Sequence, residues 1–127
     1  MPDGALALCI LLDQFPRNAF RNTPRMFATD ARARAIAQMA IESAFDDAVD
    51  EDLRQFLYMP FMHSEDIADQ DRCVELTQGL ATDNHRYAVL HRDIIRRFGR
   101  FPHRNDILGR ASTPEERQFL ADGGFAG

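Results

Sequence analysis

The chain has 127 residues, of which 45% are hydrophobic and 28% are charged, and its formal net charge is −5. This length and composition predict one folded domain over residues 1–127 and exclude a disordered chain. The longest uninterrupted apolar run, residues 5–12, is too short for a membrane span, which takes about 20 residues. No basic segment precedes that run as in a signal peptide, so Cys9 and Cys73 are expected to be reduced thiols in a cytoplasmic protein.

The charges are unevenly distributed along the chain. Acids dominate residues 42–75, whereas six arginines lie within residues 85–104. A basic segment of this kind is typical of contact with an anionic partner, and the alternative is that the two segments pair with each other. Because the pI is near 5.3 and few aromatic residues accompany the arginines, we expect no nucleic-acid partner.

The hydrophobic pattern predicts helices throughout and no strand. The first helix, over about residues 4–15, is apolar all round and is expected to end before Pro16. Pro60 is expected to disrupt the end of the third helix, and Gly99 to cap the fifth. The predicted helices cover about residues 4–15, 30–45, 51–59, 65–80 and 84–98, and a last one begins at the capping box Thr113-Pro114-Glu115-Glu116.

The helices after residue 30 fall into pairs that begin about 34 residues apart, which is the period of tetratricopeptide repeats. The residue signature of that repeat is missing from the sequence. We therefore predict an all-α fold of antiparallel helical hairpins, arranged as a tetratricopeptide-like short solenoid or as a bundle. The spacing predicts the inward faces of two helices. The face of the 30–45 helix consists of Ile36, Met39, Ala40 and Ala44, and that of the 84–98 helix consists of Tyr87, Leu90, Ile94, Ile95 and Phe98.

Three polar clusters border the ends of apolar helices and supply the candidate binding residues. They are Asp13, Arg17 and Asn18; His63, Glu65 and Asp66; and His91, Arg97, Arg100, His103, Arg104 and Asn105. If folding brings the clusters together, the arginines would hold a carboxylate or phosphate in bidentate fashion, and the other side chains would orient it. The alternative is structural, with the clusters serving as helix caps, ion pairs and hydrogen-bonded core residues.

Motifs of known catalytic and cofactor sites are missing. The sequence contains no HExxH, GxSxG or GxGxxG, so we expect neither a metal nor another cofactor. The leading hypothesis is a ligand-binding or protein-interaction module for a small anionic ligand or a peptide. One alternative is a small hydrolase in which His91 or His103 is the general base, and another is a purely structural scaffold.

Three segments of the sequence resemble the bacterial family catalogued as domain of unknown function 924. They are LLDQFPRNAFRNTPRMFATD (11–30), HSEDIADQDR (63–72) and HRDIIRRFGRFPHRNDILGRASTPEE (91–116). The resemblance implies an all-helical fold of the tetratricopeptide-like superfamily and implies no reaction. It also implies that the three polar clusters above, with Gly99 and Pro102, form the family's polar signature.

The chain departs from this family at its N-terminus. Members usually carry a further N-terminal segment with tryptophans, whereas this sequence has no tryptophan and starts at the first apolar helix. That segment would help to cover the helix. We therefore expect self-association, as a homodimer through the N-terminal apolar helix, because a large exposed apolar patch favours association.

Overall fold

A computed structural model describes residues 1–81 and 83–127, and every regular element in them is a helix. Short 3-10 turns cover Pro24–Phe27, Phe45–Ala48 and Pro102–Arg104. The prediction of an all-α fold is confirmed, while the tetratricopeptide-like arrangement stays a prediction. The α-helices are α1 (Pro2–Cys9), α2 (Phe15–Ala19), α3 (Asp30–Glu42), α4 (Glu51–Met62), α5 (Ile67–Thr77), α6 (Asn84–Phe98), α7 (Asn105–Leu108) and α8 (Pro114–Ala121).

The helices build two apolar clusters. In the larger one, α1 packs on α3 and α4, and α5 packs on α4 and α6. Its buried side chains include Leu57 and Phe61 of α4 and both cysteines. In the smaller one, Ile94 and Ile95 at the end of α6 pack with Phe101, and Phe119 of α8 and Phe125 cover them. The loop over residues 99–105 is thus fixed on a core of its own.

Pro16 does not end the N-terminal helix, contrary to the prediction. The chain stays helical from Pro2 to Ala19, because a π-helical turn at Ile10–Gln14 joins α1 to α2. Proline has no amide hydrogen for the carbonyl four residues earlier, which here belongs to Leu12. That carbonyl instead accepts a hydrogen bond from the Thr29 hydroxyl at 2.5 Å. The missing bond is thereby replaced by a side chain from another segment.

Pro60 likewise does not end its helix, since α4 continues to Met62. The buried amide of Gln70 donates to the carbonyls of Met62 at 2.7 Å and Ser64 at 2.6 Å. These bonds satisfy acceptors that the end of a helix leaves without partners. α5 begins two residues later than predicted, at Ile67, because the Asp66 carboxylate caps it by accepting from the Ala68 and Asp69 amides.

The inward faces of α3 and α6 are also shifted from the prediction. The predicted face residues Met39, Tyr87 and Leu90 are more than 40% exposed. The buried residues are Ala33, Ala37 and Ala40 in α3, and Ala88, His91, Ile94 and Ile95 in α6. Small alanines let the helices approach closely, so the larger apolar side chains beside them reach the surface. The bounds of α6, the Gly99 cap and the capping box at Thr113 agree with the prediction.

Candidate functional site

A pocket of about 130 Å³ lies where the end of α2, the end of α4 and the 101–104 loop meet. It is lined by residues from all three polar clusters, together with aromatic rings. Among the residues that the structure describes, no aspartate or glutamate side chain lines it. The lining residues are Arg17, Arg21, Met26, Phe27, His63, His91, Phe101, His103, Arg104, Phe125 and Gly127.

Asp13 lies behind the pocket wall and connects two of the clusters. It is fully buried in the π-helical turn, and its Oδ1 lies 2.8 Å from Nδ1 of His63 and 3.2 Å from Nη1 of Arg17. Gln14 donates to its Oδ2 at 2.5 Å. Burial alone would raise the pKa of Asp13, but His63, Arg17 and Gln14 together hold the pKa below its usual value, so the carboxylate is ionised.

Arg17 is fully engaged with carboxylates. Its guanidinium donates to both oxygens of Asp30, at 2.7 and 2.9 Å, besides its contact with Asp13. Such a bidentate pair fixes the position of the guanidinium and neutralises its charge. Arg17 therefore forms a wall of the pocket without contributing a free positive charge.

A second ion pair fixes the loop on the opposite side of the pocket. The Glu65 carboxylate accepts from the Phe101 amide at 2.7 Å and from Arg110 at 2.8 and 3.0 Å. Burial would raise the pKa of Glu65, but the hydrogen bonds of Arg110 and Phe101 lower it. Arg110 also donates to the Asn105 amide oxygen at 3.0 Å. These bonds connect the loop before α5 to both ends of the 3-10 turn that carries His103 and Arg104.

Arg104 differs from the other arginines of this region. It is only 7% exposed, and it forms no ion pair with any residue that the structure describes. One Nη donates to the His63 carbonyl at 2.8 Å, while the buried Nε has no hydrogen-bond partner. The guanidinium lies 4.3 Å from the Phe27 ring centroid and 4.8 Å from that of Phe101. Burial lowers the pKa of Arg104 to about 10, which leaves it charged at neutral pH.

Two neutral histidines complete the pocket. Nδ1 of His91 lies 2.7 Å from the Tyr87 carbonyl and therefore carries its hydrogen. Burial, together with the charge of nearby Arg104, lowers the pKa of His91 and of His103 to about 4. The Phe125 ring packs against both imidazoles, at 4.6 and 5.0 Å between centroids. At neutral pH both rings are therefore uncharged.

Several predicted site residues lie outside this pocket. Asn18 is exposed and donates to the Gln14 carbonyl, and Asp66 is the cap of α5. Arg100 forms a bidentate pair with Glu116 at 2.8 and 2.9 Å, which lowers the pKa of Glu116 to about 2. Arg97 is exposed and lies over the Phe98 ring. Glu65 and Asn105 support the pocket without lining it.

Sequence reasoning missed other residues that build the site. Arg21, Phe27 and Phe125 line the pocket, and Arg110 anchors its loop. Arg21 lies four residues after Arg17, a spacing that places both on one side of a helical turn. No comparable signal points to Phe125, because the tail that carries it has no helical periodicity.

Within residues 1–81 and 83–127, no group of three or more histidine, cysteine, aspartate or glutamate side chains is arranged to hold a metal ion. None of the described helices combines the length and apolar character that a bilayer crossing requires.

Comparison with known proteins identifies the family. The model of the family described as "Bacterial protein of unknown function (DUF924)" matches residues 1–124. The chain belongs to this family. A solved structure described as a protein of unknown function from Agrobacterium tumefaciens matches with a TM-score of 0.93 and 56% identity. The match covers 96% of this chain and 69% of that one. No curated protein matches the chain.

Proposed function

We propose that this DUF924 protein binds a small anionic ligand in the pocket, with Arg104 as the anchor. The observation that carries the proposal is a buried guanidinium without a carboxylate partner. An isolated buried charge is costly, so buried charges in proteins are normally paired. A bound carboxylate or phosphate supplies the missing partner.

Three neighbouring arginines each form an ion pair with a carboxylate. The fold therefore supplies an acidic partner where an arginine has a structural role. Arg17 is paired with Asp30, Arg100 with Glu116 and Arg110 with Glu65. Arg104 instead lies between two aromatic rings, which favour a cation without neutralising it. The free positive charge is therefore concentrated on Arg104 inside the pocket and on the exposed Arg21 at its rim.

The walls determine which anions fit. The Phe27, Phe101 and Phe125 rings favour an apolar group attached to the anion, and the neutral His91 can accept a hydrogen bond at Nε2. The volume is well below the roughly 300 Å³ of pockets that enclose drug-sized ligands. The enclosed part of the ligand is therefore an acidic group with a short apolar substituent.

Anion binding is tested by thermal unfolding and calorimetric titration with phosphate, acetate and butyrate, at constant ionic strength set with chloride. Each ligand that binds raises the melting temperature as its concentration increases. Arg21→Gln weakens binding, whereas Arg32→Gln, an exposed arginine of α3, leaves it unchanged. If no anion raises the melting temperature more than chloride does, the proposal is wrong.

We also propose that a second copy of the chain covers the apolar side of the N-terminal helix. Leu8, Leu11 and Phe15 follow one another at spacings of three and four residues and are 42%, 54% and 54% exposed. A continuous stripe of this kind is typical of an interaction surface.

The proposal also includes a cytoplasmic location and tetratricopeptide-like hairpins. Two buried free cysteines support the location, and helices that pack mainly on their neighbours in the chain support the hairpins.

A further inference from the structure

One histidine of the pocket differs from the other two in its hydrogen bonding. Nδ1 of His63 lies 2.8 Å from the buried carboxylate of Asp13, which also accepts hydrogen bonds from Arg17 and Gln14. The carboxylate can only accept, so in the neutral form of His63 we assign the hydrogen to Nδ1. Its Nε2 then carries a lone pair, and no hydrogen bond to Nε2 is formed by any residue that the structure describes.

This arrangement is that of a general base. A buried carboxylate that orients an imidazole and stabilises its protonated form is what proton abstraction from a nucleophile requires. His91 and His103 cannot serve in the same way, because their pKa of about 4 makes them weak bases. His91 is also oriented by a neutral carbonyl rather than by a carboxylate.

The nucleophile has to come from solvent. The pocket is lined by arginine, histidine, phenylalanine, methionine and glycine, and its described lining includes no serine, threonine, cysteine or tyrosine. Ser64, which follows His63, is engaged with Asp69 at 2.7 Å. Cys9 and Cys73 are buried in the larger apolar cluster, and burial raises the pKa of each thiol to about 12. A water molecule beside Nε2 of His63 remains as the nucleophile.

We infer that the pocket hydrolyses esters of short-chain carboxylic acids, with His63 as the general base and Asp13 as its positioning residue. The inference rests on the proposed function, because the acid that is released is the anion that Arg104 binds. In the first step, water adds to the ester carbonyl carbon and Nε2 of His63 takes the proton from that water. In the second step, the tetrahedral intermediate expels the alkoxide, which receives the same proton. One water and one ester give one acid and one alcohol.

Arg104 has a defined part in this reaction. The carbonyl oxygen becomes negatively charged in the tetrahedral intermediate, and the positive charge of the Arg104 guanidinium, which lines the pocket and forms no ion pair with any described residue, stabilises it. Donors that are already in place where charge develops lower the barrier most. The Phe27 and Phe101 rings on either side of the guanidinium then contact the acyl group and restrict it to a short chain.

The geometry favours a carboxylic ester over a phosphate ester. Addition to a carbonyl leaves the attacking water and the departing alkoxide on the same carbon, so a single imidazole serves both proton transfers. Displacement at phosphorus places the leaving oxygen opposite the water, where a separate acid is needed to protonate an alkoxide. The other two histidines are neutral at neutral pH and do not supply that acid.

The test compares turnover and binding on the full chain. Hydrolysis of phenyl acetate, butyrate and octanoate is followed by phenol release, and butyrate binding is measured by calorimetry. We expect turnover of acetate and butyrate esters, with octanoate slower. His63→Gln should lower the rate by at least about 100-fold while butyrate still binds, because general base catalysis contributes about 10²–10⁴. His85→Gln, a histidine outside the pocket, is the matched control.

Asp13 is tested by a signal that a structural role does not affect. Nitrogen-15 spectra of the wild-type protein should show the His63 hydrogen on Nδ1, and Asp13→Asn should shift it toward Nε2 and lower the rate by at least about 100-fold. Melting temperatures of both variants verify folding, and the wild-type spectrum stands even if Asp13→Asn does not fold.

The outcomes separate this inference from the proposed function. Butyrate binding without turnover of any ester, equal rates for wild type and His63→Gln, or a wild-type hydrogen on Nε2 would each overturn the inference and leave anion binding intact. Absence of both binding and turnover would overturn both proposals. Turnover lost only in His63→Gln, with binding retained, supports both.

Discussion

Replacing Arg104 with methionine separates a binding role from a structural one. A pKa of about 10 instead of 12.5 means that the fold disfavours the charged guanidinium by about 3 kcal/mol at neutral pH, at about 1.4 kcal/mol per pH unit. The substitution removes this cost, but it also removes the hydrogen bond to the His63 carbonyl, about 1.5–3 kcal/mol, and the two ring contacts, about 1 kcal/mol. Arg104→Met should therefore change the free energy of unfolding by no more than about 1 kcal/mol.

The assay is thermal unfolding with and without butyrate or phosphate. At a ligand concentration of about 100 times Kd, the wild type should gain about 2.7 kcal/mol, or roughly 10 °C for a chain of this length, and Arg104→Met should gain nothing. Arg110→Met is the matched control, because it breaks the ion pair with Glu65 and should cost about 3 kcal/mol. A comparable loss for Arg104→Met, with the anion response retained, would refute the reasoning and favour a scaffold role.

Three further predictions concern the ion pair that fixes the pocket loop, the pKa of the two pocket histidines and the apolar side of the N-terminal helix. Glu65→Gln and Arg110→Met, made singly and together, should show a coupling energy of about 1.5–3 kcal/mol in urea unfolding, whereas additive costs would contradict the half-buried bidentate pair. His91 and His103 should titrate near pH 4 in NMR spectra, because burial lowers each pKa from 6.5. Since the folded state binds these protons less readily than the unfolded state, the free energy of unfolding should fall as the pH drops from 6.5 toward 4. A free energy of unfolding that does not change over this range would be evidence against buried neutral rings. Leu11→Arg should convert a dimer to a monomer in light scattering, and a wild type that is monomeric at every concentration would contradict self-association.

The sequence predicts the helices well where local signals decide their ends. Gly99 has a positive φ of 74°, which glycine adopts without strain, and Thr113 and Glu116 form reciprocal hydrogen bonds within the first turn of α8. Both features depend only on residues a few positions apart. The same local reasoning predicts helix ends at Pro16 and Pro60, and it is wrong at both. Thr29 replaces the hydrogen bond that Pro16 removes, and Gln70 satisfies the carbonyls at the end of α4, two residues beyond Pro60.

Several residues of the candidate site can be predicted from local signals, but their pairing cannot. Residue type and position at helix ends point to His63, His103 and Arg104, and helical spacing places His91 on an inward face; the structure brings all four to one pocket. The sequence does not show which arginines are paired, because a guanidinium and its carboxylate lie up to 45 residues apart here. The distinction between a paired arginine and an unpaired one, on which the proposed function depends, is therefore visible only in three dimensions.

The π-helical turn that positions Asp13 depends on a hydrogen bond from another segment of the chain. Because Pro16 has no amide hydrogen, the Leu12 carbonyl depends on the Thr29 hydroxyl, which lies 2.5 Å from it. Thr29→Val should therefore cost about 1–3 kcal/mol, the penalty for a buried acceptor without a partner. In a Pro16→Ala background the restored amide can donate to Leu12, so the same substitution should cost less.

The comparison is made by urea unfolding of the four proteins in this cycle, and the difference between the two Thr29→Val costs is the coupling energy. Pro16→Ala by itself is the control for any general effect of removing proline from the unfolded chain. Equal costs in both backgrounds would mean that the amide of residue 16 cannot reach the Leu12 carbonyl. The turn would then be held by packing around Asp13, and Thr29 would not be the substitute for the hydrogen bond that proline removes.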